Sequence, residues 1–197
     1  SSQVMARPTL VCTWPNNTTG NWTDAGTWSC GNVPGPADDV NVGFGGVINL
    51  NPPATISNLT MLGGTISGTN ALTVTGLMQF TGFAATLNTH GSRLPQLRSL
   101  PTSGAIVTVI DPALTADSFN AVTISNPIGS NGSTILEVGP RSIGTLVLQN
   151  GNFGVTSDLT VTQVMSWTGG SLNAYFNSPA RFTLANTAVM TINPGGV

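Results

Sequence analysis

Reactive side chains are scarce in this chain. Seven carboxylates, five guanidinium groups, one imidazole and two thiols are spread over 197 residues, and lysine is missing altogether. Glycoside hydrolysis by the usual route needs two carboxyl groups about 5–10 Å apart. The acids are Asp24, Asp38, Asp39, Asp111, Asp117, Glu137 and Asp158, and only Asp38 and Asp39 adjoin. Neighbouring residues of a strand point to opposite faces, so that pair is badly placed to flank one bond. It follows Pro34-Gly35-Pro36 and leads into Val40-Asn41-Val42, which reads as a turn before a strand. A polysaccharide lyase wants a strong base and charge neutralisation, and scattered arginines support that weakly. His90 is the only imidazole, so a Ser-His-Asp arrangement would rest on one residue in an irregular segment. No catalytic residue is assigned, and the chain is read as a non-enzyme.

Metal chemistry has as little to work with. Two cysteines and the distant His90 do not make four zinc ligands. Calcium prefers oxygen, which Asp, Asn and carbonyl groups could supply. The best pair for it is Asp111 and Asp117, set around Pro112, but no D-x-D-x-D-G loop or G-G-x-G-x-D series occurs. No cofactor is therefore expected. Cys12 and Cys30 lie in one short segment rich in turn formers and are read as a disulfide. Closing that loop contributes roughly 3 kcal/mol on a chain-entropy argument.

The elements that carry these groups are short and β-like. Ile56 to Gly82 returns 87 residues later as Ile143 to Gly169, with eleven of 27 positions identical and no gap. The matches include Ile56/Ile143, Leu59/Leu146, Gly64/Gly151, Met78/Met165 and the L-T-V-T runs at 72–75 and 159–162. Phe80 and Trp167 share one aromatic slot. From Asp39 onward, runs of three to six residues alternate apolar with small polar side chains, as in 40–42, 71–76, 105–110, 121–125 and 188–192. Period-two alternation marks strands with one buried face. Gly, Asn and Pro turns separate the runs. An antiparallel sandwich would also tolerate such spacing. The long repeat, about four coils of roughly 20–25 residues each, favours a stack. The expected fold is all-β: a single-stranded, right-handed parallel β-helix of roughly eight coils. Leu72, Val74, Leu159 and Val161 should face inward, and Thr73, Thr75, Thr160 and Thr162 outward.

Residues 1–35 differ from the rest. They hold both cysteines and three of the four tryptophans, Trp14, Trp22 and Trp28. Two jobs suit such a segment: a sugar-stacking platform, or a cap that closes the end coil of a solenoid. The cap is the preferred reading, so the expected organisation is a cap over 1–35 and a β-helix over 36–197. Two excursions interrupt the helix, at 88–104 and 174–182. The first carries His90, Arg93 and Arg98 and is the candidate contact loop, since loops on rigid scaffolds often carry function.

Composition excludes several classes. Charged residues are 6% of the chain and 40% are hydrophobic, which predicts folding rather than disorder. A net charge of −2 argues against nucleic acid as a partner. No apolar run approaches the length of a membrane span, so no membrane insertion is expected.

The segment GNWTDAGTWSCGNVPGPADDVNV, 20–42, resembles the opening of bacterial secreted β-helix proteins and of the eight-glycine domain of extracellular proteins. Trp28, Gly31, Pro34, Asp38 or Asp39, and Val40 carry that pattern. The I-x-x-L-T-x-x-G-G-T-I and L-T-V-T-G runs are similar to repeats of large adhesins and autotransporter-like surface proteins. The resemblance implies a right-handed β-helix outside the cell and no catalytic residue. The expected function is an extracellular structural or adhesive surface module. The alternatives are an end-to-end filament subunit and a carbohydrate-binding or polysaccharide-active domain. Expected partners are further repeats of a longer chain, other copies joined through residues 183–197 and 1–35, or surface glycans.

Overall fold

The computed structural model describes residues 8–102, 104–113, 119–126, 131–138, 141–174 and 179–192. Every strand pairing in it is parallel. Antiparallel neighbours can be joined by tight hairpins, whereas parallel ones need a long crossover. Here each crossover is another wall of the same coil. One sheet stacks ten strands, running from Val11–Trp14 through Asp39–Val42, Leu59–Met61 and Leu77–Gly82 to Leu159–Trp167 and Val189–Ile192. A second stacks eight, from Thr19–Asn21 to Ser171–Ala174. A narrow third wall starts with Ala54–Ile56 on Leu72–Val74 and is extended by a bridge from Thr73 to Arg93. The described residues contain no helix, and none therefore long and apolar enough to cross a membrane. The chain is a β-solenoid.

Register explains the alternation. Cys12, Val40, Leu59, Met78, Leu97, Val122, Leu146 and Met165 sit one above another in the first sheet, all buried. Two residues on, Trp14, Val42, Met61, Phe80, Ser99, Ile124 and Leu148 make a second buried column. Between them, Thr13, Asn41, Thr60, Gln79, Arg98 and Thr123 form the outward row. Leu72, Val74, Leu159 and Val161 lie inside as expected, while their threonine neighbours face out. The two copies of the repeat fall four strands apart in the first sheet, Leu59–Met61 against Arg141–Asn150. Their equivalence extends to single bonds. Thr75 Oγ1 donates to the Ile56 carbonyl at 3.2 Å, and Thr162 Oγ1 to the Ile143 carbonyl at 3.2 Å. The shared corner glycine is explained by backbone geometry. Gly64 and Gly151 adopt φ of +82° and +87°, a region side chains disfavour, and a Cβ at Gly151 would strike the Asn126 amide.

Two boundaries differ from expectation. The solenoid begins inside residues 1–35, because Val11–Trp14 and Thr19–Asn21 are already strands of its two main sheets. Only the segment between Asn21 and Asp39 acts as cover. The stretch 88–104 is also not an excursion. Gln96–Pro101 pairs on both sides within the first sheet, and Leu94 and Leu97 are buried. Its pattern looked irregular because the inward position after Leu97 holds Ser99. That hydroxyl is matched across the core by Thr134, whose Oγ1 lies 2.7 Å away. Of the expected excursion at 174–182, residues 175–178 lie outside the described residues, and Phe182–Leu184 stacks on Leu159–Trp167 in the first sheet.

Candidate functional site

The N-terminal aromatics settle into one interior cluster. Trp14, Trp22 and Trp28 are 0, 1 and 2% exposed. Trp28 stands edge-on to Trp14 at 4.8 Å and to Trp22 at 5.1 Å between ring centroids. Its indole Nε1 donates to the Trp22 carbonyl at 2.8 Å, and Trp14 Nε1 to the Thr18 carbonyl at 2.9 Å. Cys12 and Cys30 are joined by a disulfide that ties this cover to the first strand. Ser29 completes the closure: its Oγ accepts from Thr13 N at 2.8 Å, and its own N–H donates to the Thr13 carbonyl at 3.1 Å. No ring face is left open for a sugar, so these residues form a cap and not a stacking platform.

Five carboxylates are held by donors of their own turns or of adjacent coils. Asp38 accepts from Leu10 N and Gly35 N at 3.0 and 2.8 Å. Asp39 accepts from the Asn58 amide, Asp24 from Asn21 N and Asp158 from Arg181 N. Asp111 is fully buried and caps a turn, accepting from Gly91 N, Ser92 N, Ala113 N and the Thr89 hydroxyl. Both its oxygens are thus occupied by turn donors, which leaves it poorly suited to calcium. Asp117, its expected companion, lies outside the described residues. Among the described residues, no three His, Cys, Asp or Glu side chains come together as a metal-holding group. His90 is exposed, and its backbone N–H donates to the Asn70 carbonyl.

Arg93 and Arg98 stand on a different kind of surface. Both are exposed, Arg93 at the third wall and Arg98 in the outward row of the first sheet. The corner between those walls is indented. Arg93, Asn120, Ser142, Gly144, Thr162 and Gln163 line a cleft of about 440 Å³. Arg93 also borders a second indentation with Thr73, Thr75 and Pro95. A third lies beside Arg98, with Gln96, Thr123 and Gln149. A bulge interrupts the strand beneath the first cleft. The pairing register slips between Ile143 and Thr145, leaving Gly144 unpaired in the lining. A Cβ there would stand 2.8 Å from the Asn120 carbonyl oxygen and 3.3 Å from Gln163 Cδ. Asn120, Ser142, Gly144 and Gln163 were not singled out from sequence, because nothing local marks them. Their common feature is position at one corner of successive coils.

A second surface feature is apolar. Phe44 and Phe83 are 48 and 55% exposed and meet edge-on at 4.8 Å over Gly63. Leu62, one residue before Gly63, is exposed as well. No protein-family model, no curated protein and no solved structure matches this chain.

Proposed function

We propose that this solenoid is a non-catalytic structural and adhesive module that works outside the cell. One observation supports the reading most: five of the seven carboxylates serve the scaffold, each accepting from its own turn or a neighbouring coil. The outward rows offer Thr, Asn, Gln and Arg on a rigid lattice instead. The disulfide supports an oxidising location, and the similarity of residues 20–42 to secreted β-helix openings points the same way. Beads coated with the folded chain should adhere to polysaccharide-bearing surfaces, and lose adhesion once the chain is reduced and denatured. Equal retention of folded and denatured chain would sink the adhesive reading.

A second reading, end-to-end association, is favoured by the last coil. Met190 and Ile192 continue the two buried columns above Met165 and Trp167, yet are 38 and 59% exposed. Strand edges with apolar neighbours template further pairing. That surface suits either further coils of a longer chain or another copy. At the other end the cap has already satisfied Thr13, so a head-to-tail contact would use the cap's outer surface rather than a continued ladder. Sedimentation of the chain and of Ile192→Asp over a range of concentrations tests this. Concentration-dependent growth lost in the variant supports association, and a monomer throughout refutes it.

A further inference from the structure

Three indentations lie around Arg93 and Arg98. The one bounded by Thr75 and Pro95 shares Arg93 with the cleft over Gly144. The Arg98 indentation is lined by Ala121, the residue after Asn120 of that cleft. Backbone bonds fix the order of levels. Asn120 N donates to the Pro95 carbonyl and Thr145 N to the Asn120 carbonyl, both at 2.9 Å. The groove thus runs along the solenoid axis from the level of Thr75 to that of Gln163. Four strand spacings of about 4.8 Å make that roughly 19 Å.

Its chemistry is selective. Two guanidinium groups flank it, and among the described residues neither meets a carboxylate. Arginine presents a planar fork that matches a carboxylate. The cleft over Gly144 adds amides and hydroxyls from Asn120, Gln163, Ser142 and Thr162, and the flanking indentations mix Gln96 and Thr75 with apolar surface from Leu77, Ala121 and Pro95. Amides and hydroxyls both donate and accept, as sugar hydroxyls do. An acidic peptide fits less well. Peptides on β-proteins gain most by adding to an open sheet edge, and the strands under this groove are paired on both sides.

We propose that this corner groove binds a linear acidic polysaccharide lying along the solenoid axis. Arg93 and Arg98 pair its carboxylates, and the amide and hydroxyl side chains meet its ring hydroxyls. The proposal rests on the adhesive reading and gives it a ligand class.

The test is binding of a labelled oligogalacturonide to the full chain by fluorescence anisotropy. A neutral oligogalactoside and a poly-glutamate of matched length serve as competitors. The oligogalacturonide should bind, weaken with added salt, and resist both competitors. Arg93→Ala with Arg98→Ala should weaken it by about tenfold or more, the scale of a charge-assisted pair discounted for exposure. Thr86→Ala, on the opposite wall, should change nothing. An unchanged affinity in the double variant overturns the proposal, as does equal displacement by the neutral oligomer or by poly-glutamate. Adhesion to neutral polysaccharide that survives the double variant would remove the acidic groove while leaving the adhesive module standing.

Discussion

Removing Trp28 should unfasten the N-terminal end of the solenoid and nothing else. The side chain is 2% exposed, edge-on to two further tryptophans, and its indole N–H is bonded to the Trp22 carbonyl. Trp28→Ala therefore loses a large buried surface, two aromatic contacts and one hydrogen bond. Truncations of this kind cost about 3–5 kcal/mol, of which each edge-to-face pair supplies about 0.5–1.5. In a solenoid each coil touches chiefly its neighbours, so the loss should stay local. Urea denaturation of Trp28→Ala should show an early transition in tryptophan emission. Hydrogen exchange should accelerate at Thr13 and Val40 while Leu146 and Met165 keep their protection. Polysaccharide adhesion should persist in the absence of denaturant. Wild-type stability with lost adhesion would refute the reasoning, because the tryptophans would then be a binding platform rather than a cap.

Three further outcomes follow from the geometry. Replacing Cys12 and Cys30 together by Ala frees a loop with a sequence separation of 18 and should cost about 3 kcal/mol in the same N-terminal region; the native chain should weigh two hydrogens less under non-reducing conditions than after reduction. Thr134→Val strands the buried Ser99 hydroxyl and should cost about 1–3 kcal/mol, whereas the double change with Ser99→Ala should recover most of it; equal losses in single and double variants would deny the pairing. Gly151→Ala forces a side chain onto φ of +87° against the Asn126 amide and should cost more than about 1 kcal/mol, measured as a lower melting temperature.

The stacked fold was legible because inward positions such as Leu72, Val74, Leu159 and Val161 keep strict alternation in both copies of the repeat. The cap was legible from its aromatics and cysteines, but its limit was not. The composition shift near residue 35 hid the fact that Cys12 and Trp14 already occupy the two inward columns. The strand Gln96–Pro101 was missed for a different reason: Ser99 breaks the apolar pattern, and its partner Thr134 lies 35 residues away. Local periodicity carries no trace of such a pair. The groove was half visible. Arg93 and Arg98 stood out by charge, but Asn120, Gly144 and Gln163 join them only through coils of unequal length. Cys12 and Val40 are register partners 28 residues apart, and Leu59 and Met78 only 19. No fixed period aligns the corner.

The most direct test of a scaffold that holds polysaccharide without altering it is the length of the polymer. Purified chain would be incubated at length with acidic polysaccharide, and the polymer then sized and assayed for new reducing ends and unsaturated products. Retention of the polymer at its original length, with no new ends, is the predicted result. Progressive shortening in proportion to the amount of chain would contradict it, since carboxylates or arginines held here to be structural or binding groups would then be doing chemistry.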